Sequence, residues 1–190
     1  MRIAVAVLLF AITRPAHAEP TEARASARQV LIMLRILAYD KTLAERRPGD
    51  VVTIAVVSGT SAAGRAERER WRAGFALVPK VKVGGRSVRV VTFDYGSRSA
   101  FEAAVAKHVP AAIIVTRDLE APLPDIRAVT RTNRALSIGS ERALRAGLSV
   151  AIVPRDERDE IMINLEASRA EGVRFAAGLL QLAKLVEDSP

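Results

Sequence analysis

The stretch "GTSAAGRA" carries Gly59 and Gly64 with four residues between them, the glycine spacing of a phosphate-binding loop. That chemistry needs Lys and then Ser or Thr after the second glycine, the lysine meeting the β- and γ-phosphates and the hydroxyl ligating magnesium. Arg65 and Ala66 stand there instead. Nucleotide binding is therefore not expected, and Thr60 or Ser61 as a helix cap is the simpler role. Three more segments gather hydroxyls, acids or a guanidinium at short spacing: "DYGS" (94–97), "TRDLE" (116–120) and "GSER" (139–142). Asp94 and Tyr95 can meet a ligand, or Asp94 can shape a turn that caps the next helix. Arg117 beside Asp118 can hold a carboxylate or form a surface ion pair. Thr60, Ser61, Asp94, Tyr95, Arg117, Asp118 and Ser140 are the candidate ligand contacts.

Catalytic chemistry is poorly provided for. The histidines are His17 and His108 alone. His108, in "AKHVP", closes a helical stretch where an imidazolium complements the helix dipole. A Ser-His-Asp triad would have to use it, yet no "GxSxG" elbow supplies the serine. A histidine zinc site lacks ligands, and the absence of cysteine removes disulfides and thiol catalysis. The acids of "RDERDE" (155–160) are interleaved with arginines in a charged loop. Paired carboxylates do acid–base work when one is buried, whereas water keeps these ionised. No catalytic residue, metal or cofactor is assigned, and the chain reads as non-enzymatic.

The elements that must position the candidates alternate along the chain. "VVTIAVV" (51–57) is an unbroken β-branched run, as expected of a strand covered on both faces. Helical composition follows at 61–78, with Trp71, Phe75 and Val78 on one side, then a strand at 88–94 and a helix at 97–108. Strand 111–116, a helix around 122–133, strand 135–139, a helical turn near "SERALRAG" and strand 148–154 continue the series. Alternation of this kind implies right-handed βαβ units on a parallel sheet, with ligands beyond the strands' carboxyl ends. All seven candidates fall at such ends.

The pattern changes at "SVAIVPRDERDEIMINL", which reads as two strands joined by a charged loop, an antiparallel hairpin at the sheet edge. A final helix or helix pair is expected from Glu166 to Glu187, with Gly172 as its interruption. The expected fold is thus α/β: a single three-layer domain, mostly parallel, with an antiparallel C-terminal hairpin edge and a C-terminal helix.

The first residues, "MRIAVAVLLFAITRPAHAEP", combine a positive start, an apolar run over 3–12 and small residues at Ala16-His17-Ala18. That order is a secretory leader, and the run is too short to cross a hydrocarbon core of about 30 Å. Residues 1–18 are read as a signal peptide cleaved after Ala18, and 19–190 as one domain. The formal net charge is +8, which suits acidic partners, but its charges are scattered rather than blocked. Nucleic acid is not an expected partner, because an exported chain with 4% aromatic residues offers few stacking platforms.

The segment "LSIG…RAGLSVAIVPRDERDEIMINLEASRAEGVRFAAGLLQLAKLV" resembles the YfiR-like family of bacterial periplasmic proteins. Gly147, Asn164, Leu165, Gly172, Leu179, Leu180, Leu182 and Ala183 are the positions that match its pattern. Upstream, "AYDKTL", "VVTIAVV" and "GRSVRVV" fall where that family has its first helix end and first strands. The resemblance implies a non-catalytic periplasmic regulator that restrains a membrane diguanylate cyclase by contact with its sensor part, and so cyclic di-GMP signalling. Redox control by disulfides does not carry over to a cysteine-free chain, and "ILAYDKTL" lacks the aromatics and Trp-Pro pair usual at the first helix end.

A membrane sensor protein is accordingly the expected partner, with a homodimer or a small ligand as alternatives. The rival reading is a periplasmic small-molecule binding module associated with transport. Apolar positions on two helical stretches, Leu31 and Leu34 in "QVLIMLRIL" and Phe175, Leu179, Leu182 and Val186 in "RFAAGLLQLAKLV", are the candidate partner or oligomer surface.

Overall fold

The computed structural model describes residues 20–155 and 158–186; the expected leader and two acids of the charged loop lie outside them. Helix α1 (Pro20–Ala38) and the short α2 (Leu43–Arg46) precede β1 (Val51–Ser58). Then come α3 (Ala62–Ala76), β2 (Ser87–Asp94), α4 (Arg98–His108), β3 (Ala112–Val115), α5 (Leu123–Thr132) and β4 (Leu136–Gly139). The series continues with α6 (Glu141–Arg145), β5 (Val150–Pro154), β6 (Asp159–Asn164), α7 (Leu165–Ala170), α8 (Ala177–Leu180) and β7 (Lys184–Val186).

The strands form one sheet in the order β2-β1-β3-β4-β5-β6-β7. Neighbours are parallel except for β5 and β6, which run antiparallel with Ala151 opposite Met162. Alternate residues of β1 feed opposite layers, as the pleat requires. Val52, Ile54 and Val56 join α1 and Phe75 of α3 in one cluster. Ala55 and Val57 join Phe101 and Val105 of α4, and Ile126 and Val129 of α5, in the other. The three-layer α/β architecture read from the alternation is therefore the observed one. β2, an outer strand, shows the alternating exposure of an edge. No helix among the described residues is long and apolar enough to cross a membrane.

Side-chain caps start several helices. Ser61 Oγ accepts from Gly64 N at 2.9 Å, Ser97 Oγ from Ala100 N at 3.2 Å and Ser140 Oγ from Ala143 N at 3.1 Å. Each satisfies a backbone donor left free by the first helical turn.

The C-terminal segment is a helix pair interrupted at Gly172, as expected, but its second helix ends at Leu180 and a strand follows. Gly172 adopts φ +74 and breaks the chain after α7; α8 is a single turn whose N-cap, Ala176, offers no side-chain acceptor. Beyond it the backbone extends and pairs in parallel with β6, Met162 opposite Lys184 and Asn164 opposite Val186. An unpaired β6 would leave a row of open backbone groups, and residues 184–186 satisfy them. The antiparallel hairpin thus lies one strand inside the edge, which is β7.

Burial corrects the candidate partner surface. Leu34, Phe175 and Leu179 are buried in the main cluster with α1 and the sheet, and so are core residues. Val186 is half-buried. Leu31 at 44% and Leu182 at 71% remain exposed, and Leu185 at 49% joins them.

The amino ends of the strands hold a buried ionic network. Arg46 pairs with Asp40, both side chains fully inside, while Asp40 also accepts from Thr42 N at 2.9 Å and Thr42 Oγ1 at 2.7 Å. Arg47 donates to the carbonyls of Pro110 and Asn133. Its guanidinium is pushed down to about 10 by burial and then by the cations of Arg46 and Arg134. Nearby, Glu171 is buried and accepts from Ser137 N at 2.8 Å and from Ser149 Oγ. It ties the starts of β4 and β5 together. Burial drives its carboxyl above the ordinary range, against the hydrogen bonds from these serines and Thr130.

Candidate functional site

The carboxyl ends of the strands were expected to gather the ligand contacts, and the structure sorts the seven residues into two groups. Asp118 is locked inward. Its carboxylate accepts from Ser61 Oγ at 2.6 Å, Thr116 Oγ1 at 2.6 Å and Gly59 N at 3.3 Å. Burial alone would raise this acid, but the bonds from Ser61, Thr116 and Gly59 outweigh it and hold the carboxyl below its usual range. The two glycines of "GTSAAG" acquire a physical reason here. A Cβ at Gly59 would stand 2.5 Å from Asp118 Oδ2, and one at Gly64 would run into the same carboxylate. The loop that resembles a phosphate cradle is filled by an internal anion.

Asp94 is likewise engaged, paired with Arg68 and accepting from Ser58 Oγ at 3.2 Å. Tyr95 donates to Asp125 at 3.2 Å, and burial followed by that bond pushes its phenol up. The carbonyl of the exposed Thr60 receives Arg65. These five residues serve turns, caps and inter-element bonds, and the structure does not bring them into one site.

Arg117 and Ser140 form the second group. They line a cleft of about 210 Å³ at the ends of β3, β4 and β5, roofed by α1 and α3. Its floor is apolar, from Ile114, Val115, Ile138 and Ile152. Trp71 of α3 and Gln29 of α1 supply walls, and Glu22, Glu67 and Arg70 stand at the rim. The ion pairs there are long: Arg70 to Glu22 at 3.9 Å and Arg117 Nε to Glu67 at 4.0 Å. Glu67 is better held by the backbone, accepting from Arg117 N at 3.0 Å. Pairs so stretched and so wet contribute little stability and leave both guanidiniums open to other acceptors.

Trp71 was visible in the sequence as one side of a helix, but Gln29, Glu67 and Arg70 were not expected at a site. The helical spacing of Glu67, Arg70 and Trp71 (i, i+3, i+4) places them on one face of α3. What the spacing omits is that α1, far away in sequence, lies beside that face and closes the cleft. Among the described residues no group of His, Asp and Glu is arranged to hold a metal ion.

The YfiR/HmsC-like family matches over residues 26–184. The chain belongs to that family. Comparison with curated proteins finds no match. Solved structures share the fold at low identity. A conserved domain protein from Vibrio cholerae superposes with a TM-score of 0.59 at 12% identity, covering 84% of this chain and 59% of that one. An ABC domain in complex with L-Trp from Streptococcus pneumoniae gives 0.53 at 14% identity, covering 80% and 60%. A ligand-free, open substrate-binding protein with adhesive properties from Clostridium difficile gives 0.54 at 12%, covering 78% and 58%. The chain spans about three fifths of each of these structures, and the likeness is one of fold.

Placed in the structure, the YfiR-like pattern positions mostly build the C-terminal segment. Asn164 caps α7 through Ala167 N at 2.9 Å, and Gly147 and Gly172 take positive φ at turns. Leu179 is core, and Leu165, Leu180 and Ala183 pack against it. Leu182 alone among these leucines faces solvent.

Proposed function

We propose that this YfiR/HmsC-like protein is a non-catalytic periplasmic regulator that acts by contact with the outer part of a membrane signalling protein of the diguanylate-cyclase type. The single observation that carries the reading is the family match across residues 26–184. The side chains best suited to chemistry support it, since Asp94, Asp118 and Tyr95 are spent on internal bonds. In this reading residues 1–18 direct export, and the remaining chain is a single regulatory domain.

The exposed leucines at the β7 edge supply the contact. Leu182 and Leu185 are large apolar side chains left in water next to a short outer strand. Such an edge can accept a partner's strand or apolar face. Deletion of the gene should raise cellular cyclic di-GMP, and restoring the chain should lower it. A double Leu182→Asp, Leu185→Asp variant should melt within a few degrees of the parent, since surface changes usually shift stability by less than about 0.5 kcal/mol. It should nevertheless fail to lower cyclic di-GMP. Unchanged cyclic di-GMP on deletion would overturn the proposal; a fully active double variant would remove the β7 edge from it.

A further inference from the structure

We propose that the cleft at the ends of β3, β4 and β5 binds a small organic carboxylate with a compact apolar body. The proposal goes beyond the regulatory reading and does not depend on which partner the chain contacts.

The floor sets the first requirement. Ile114, Val115, Ile138 and Ile152 come from three adjacent strands and present only hydrocarbon at the base. Water on such a surface is readily displaced by an apolar group. The cleft volume of about 210 Å³ lies below the roughly 300–1,000 Å³ of sites that take drug-sized ligands. The occupant must be small.

The unused polar groups set the second. The Arg117 side chain is 68% exposed, and its one ion pair among the described residues is the 4.0 Å approach of Nε to Glu67. The two Nη groups, the planar fork that matches a carboxylate, have no partner among the described residues. Trp71 carries an indole N–H, a donor only, and neither it nor the Gln29 amide is hydrogen-bonded among the described residues. Ser140 Oγ uses a lone pair on Ala143 N, which leaves its O–H to give. Gln29 also brings an amide oxygen, but with the Arg117 Nη groups, the indole N–H, the Gln29 NH2 and the Ser140 O–H the donors outnumber the acceptors. The nearest carboxylate, Glu67, is 17% exposed and turned to the Arg117 backbone N–H. Glu22 stands at the outer rim with Arg70. A ligand with acceptor oxygens at one end and hydrocarbon at the other satisfies both requirements.

The molecule carries its own reporter, because Trp71 is the sole tryptophan. The full chain is titrated with benzoate and with 4-methyl-2-oxopentanoate while Trp71 emission and melting temperature are followed. Benzyl alcohol and benzylamine, which keep the apolar body without the carboxylate, serve as counterparts. At least one carboxylate should shift or quench the emission saturably and raise the melting temperature, with the alcohol and amine at least tenfold weaker. Arg117→Gln, at an exposed position, should leave the melting temperature of the free chain unchanged and weaken binding at least tenfold. Ala25→Phe, on the exposed side of α1 and lining the cleft, should block it. Silence of both carboxylates at millimolar concentration overturns the proposal. So do equal responses to the alcohol, or binding untouched by both substitutions. The cyclic di-GMP measurement reads the regulatory function separately, so either reading can fail alone.

Discussion

The two ends of the sheet treat charged side chains in opposite ways. At the amino ends, Asp40, Arg46, Arg47 and Glu171 are buried and bonded to one another, to hydroxyls, to backbone N–H groups or to carbonyls. At the carboxyl ends, Arg70 and Arg117 stand in water with stretched pairs around an apolar floor. A charge taken out of water must be partnered or it destabilises the fold, so the first end is committed to holding the chain together. A charge left in water is free to change partners, and the second end keeps its donors for something else. Asp118 marks the frontier. It sits at the carboxyl ends but is treated like an amino-end residue, with an anion cradle closed around it.

Charge removal should separate the two ends most clearly. Arg46→Ala leaves Asp40 buried without its cation and should cost about 3–5 kcal/mol, the usual penalty for breaking a buried pair. Arg117→Ala should cost less than about 0.5 kcal/mol. Urea unfolding of both variants checks this; similar losses would dissolve the contrast.

Asp118 offers the next largest effect. Gly64→Ala pushes a methyl into the Asp118 carboxylate, overpacking expected to cost about 1–3 kcal/mol. Gly96→Ala meets nothing within 4 Å and should be nearly silent. If the two variants melt together, the cradle is looser than described.

The smallest effect is in the pH dependence. Glu171 is raised above its ordinary value of 4.5 by burial, so the folded chain holds this proton more tightly than the unfolded one. Its contribution is fully present below about pH 4.5 and is lost as pH rises through the elevated value. Melting curves taken from pH 4.5 upward should show a decline that Glu171→Gln abolishes. A decline that persists in the variant would assign it to other groups.

Much of this was legible locally. Ser61 could be read as a cap because a cap and its N–H donor lie three residues apart, whereas Ser140, taken as a ligand contact, proved to cap α6 as well. "VVTIAVV" announced a strand with both faces covered. Less of the site was legible. Of the seven candidate contacts only Arg117 and Ser140 line the cleft, and position at a strand end did not distinguish them from Asp118. Nothing within "TRDLE" tells that Asp118 turns toward Gly59 and Gly64 while Arg117 turns out. The C-terminal apolar row Phe175, Leu179, Leu182 and Val186 has helical spacing, yet the chain there spends Leu179 on the core and Val186 on a strand.

The sequence by itself determined the alternation of strands and helices as far as β6, the Ser61 helix start and the family, because periodicity, capping and motif spacing act over a few neighbouring residues. The tertiary structure decided which charges are partnered, which acid fills the glycine loop, and that residues 184–186 close the sheet as β7. Those outcomes depend on segments brought together from far along the chain, and on backbone groups of β6 that remain open until the sheet has formed.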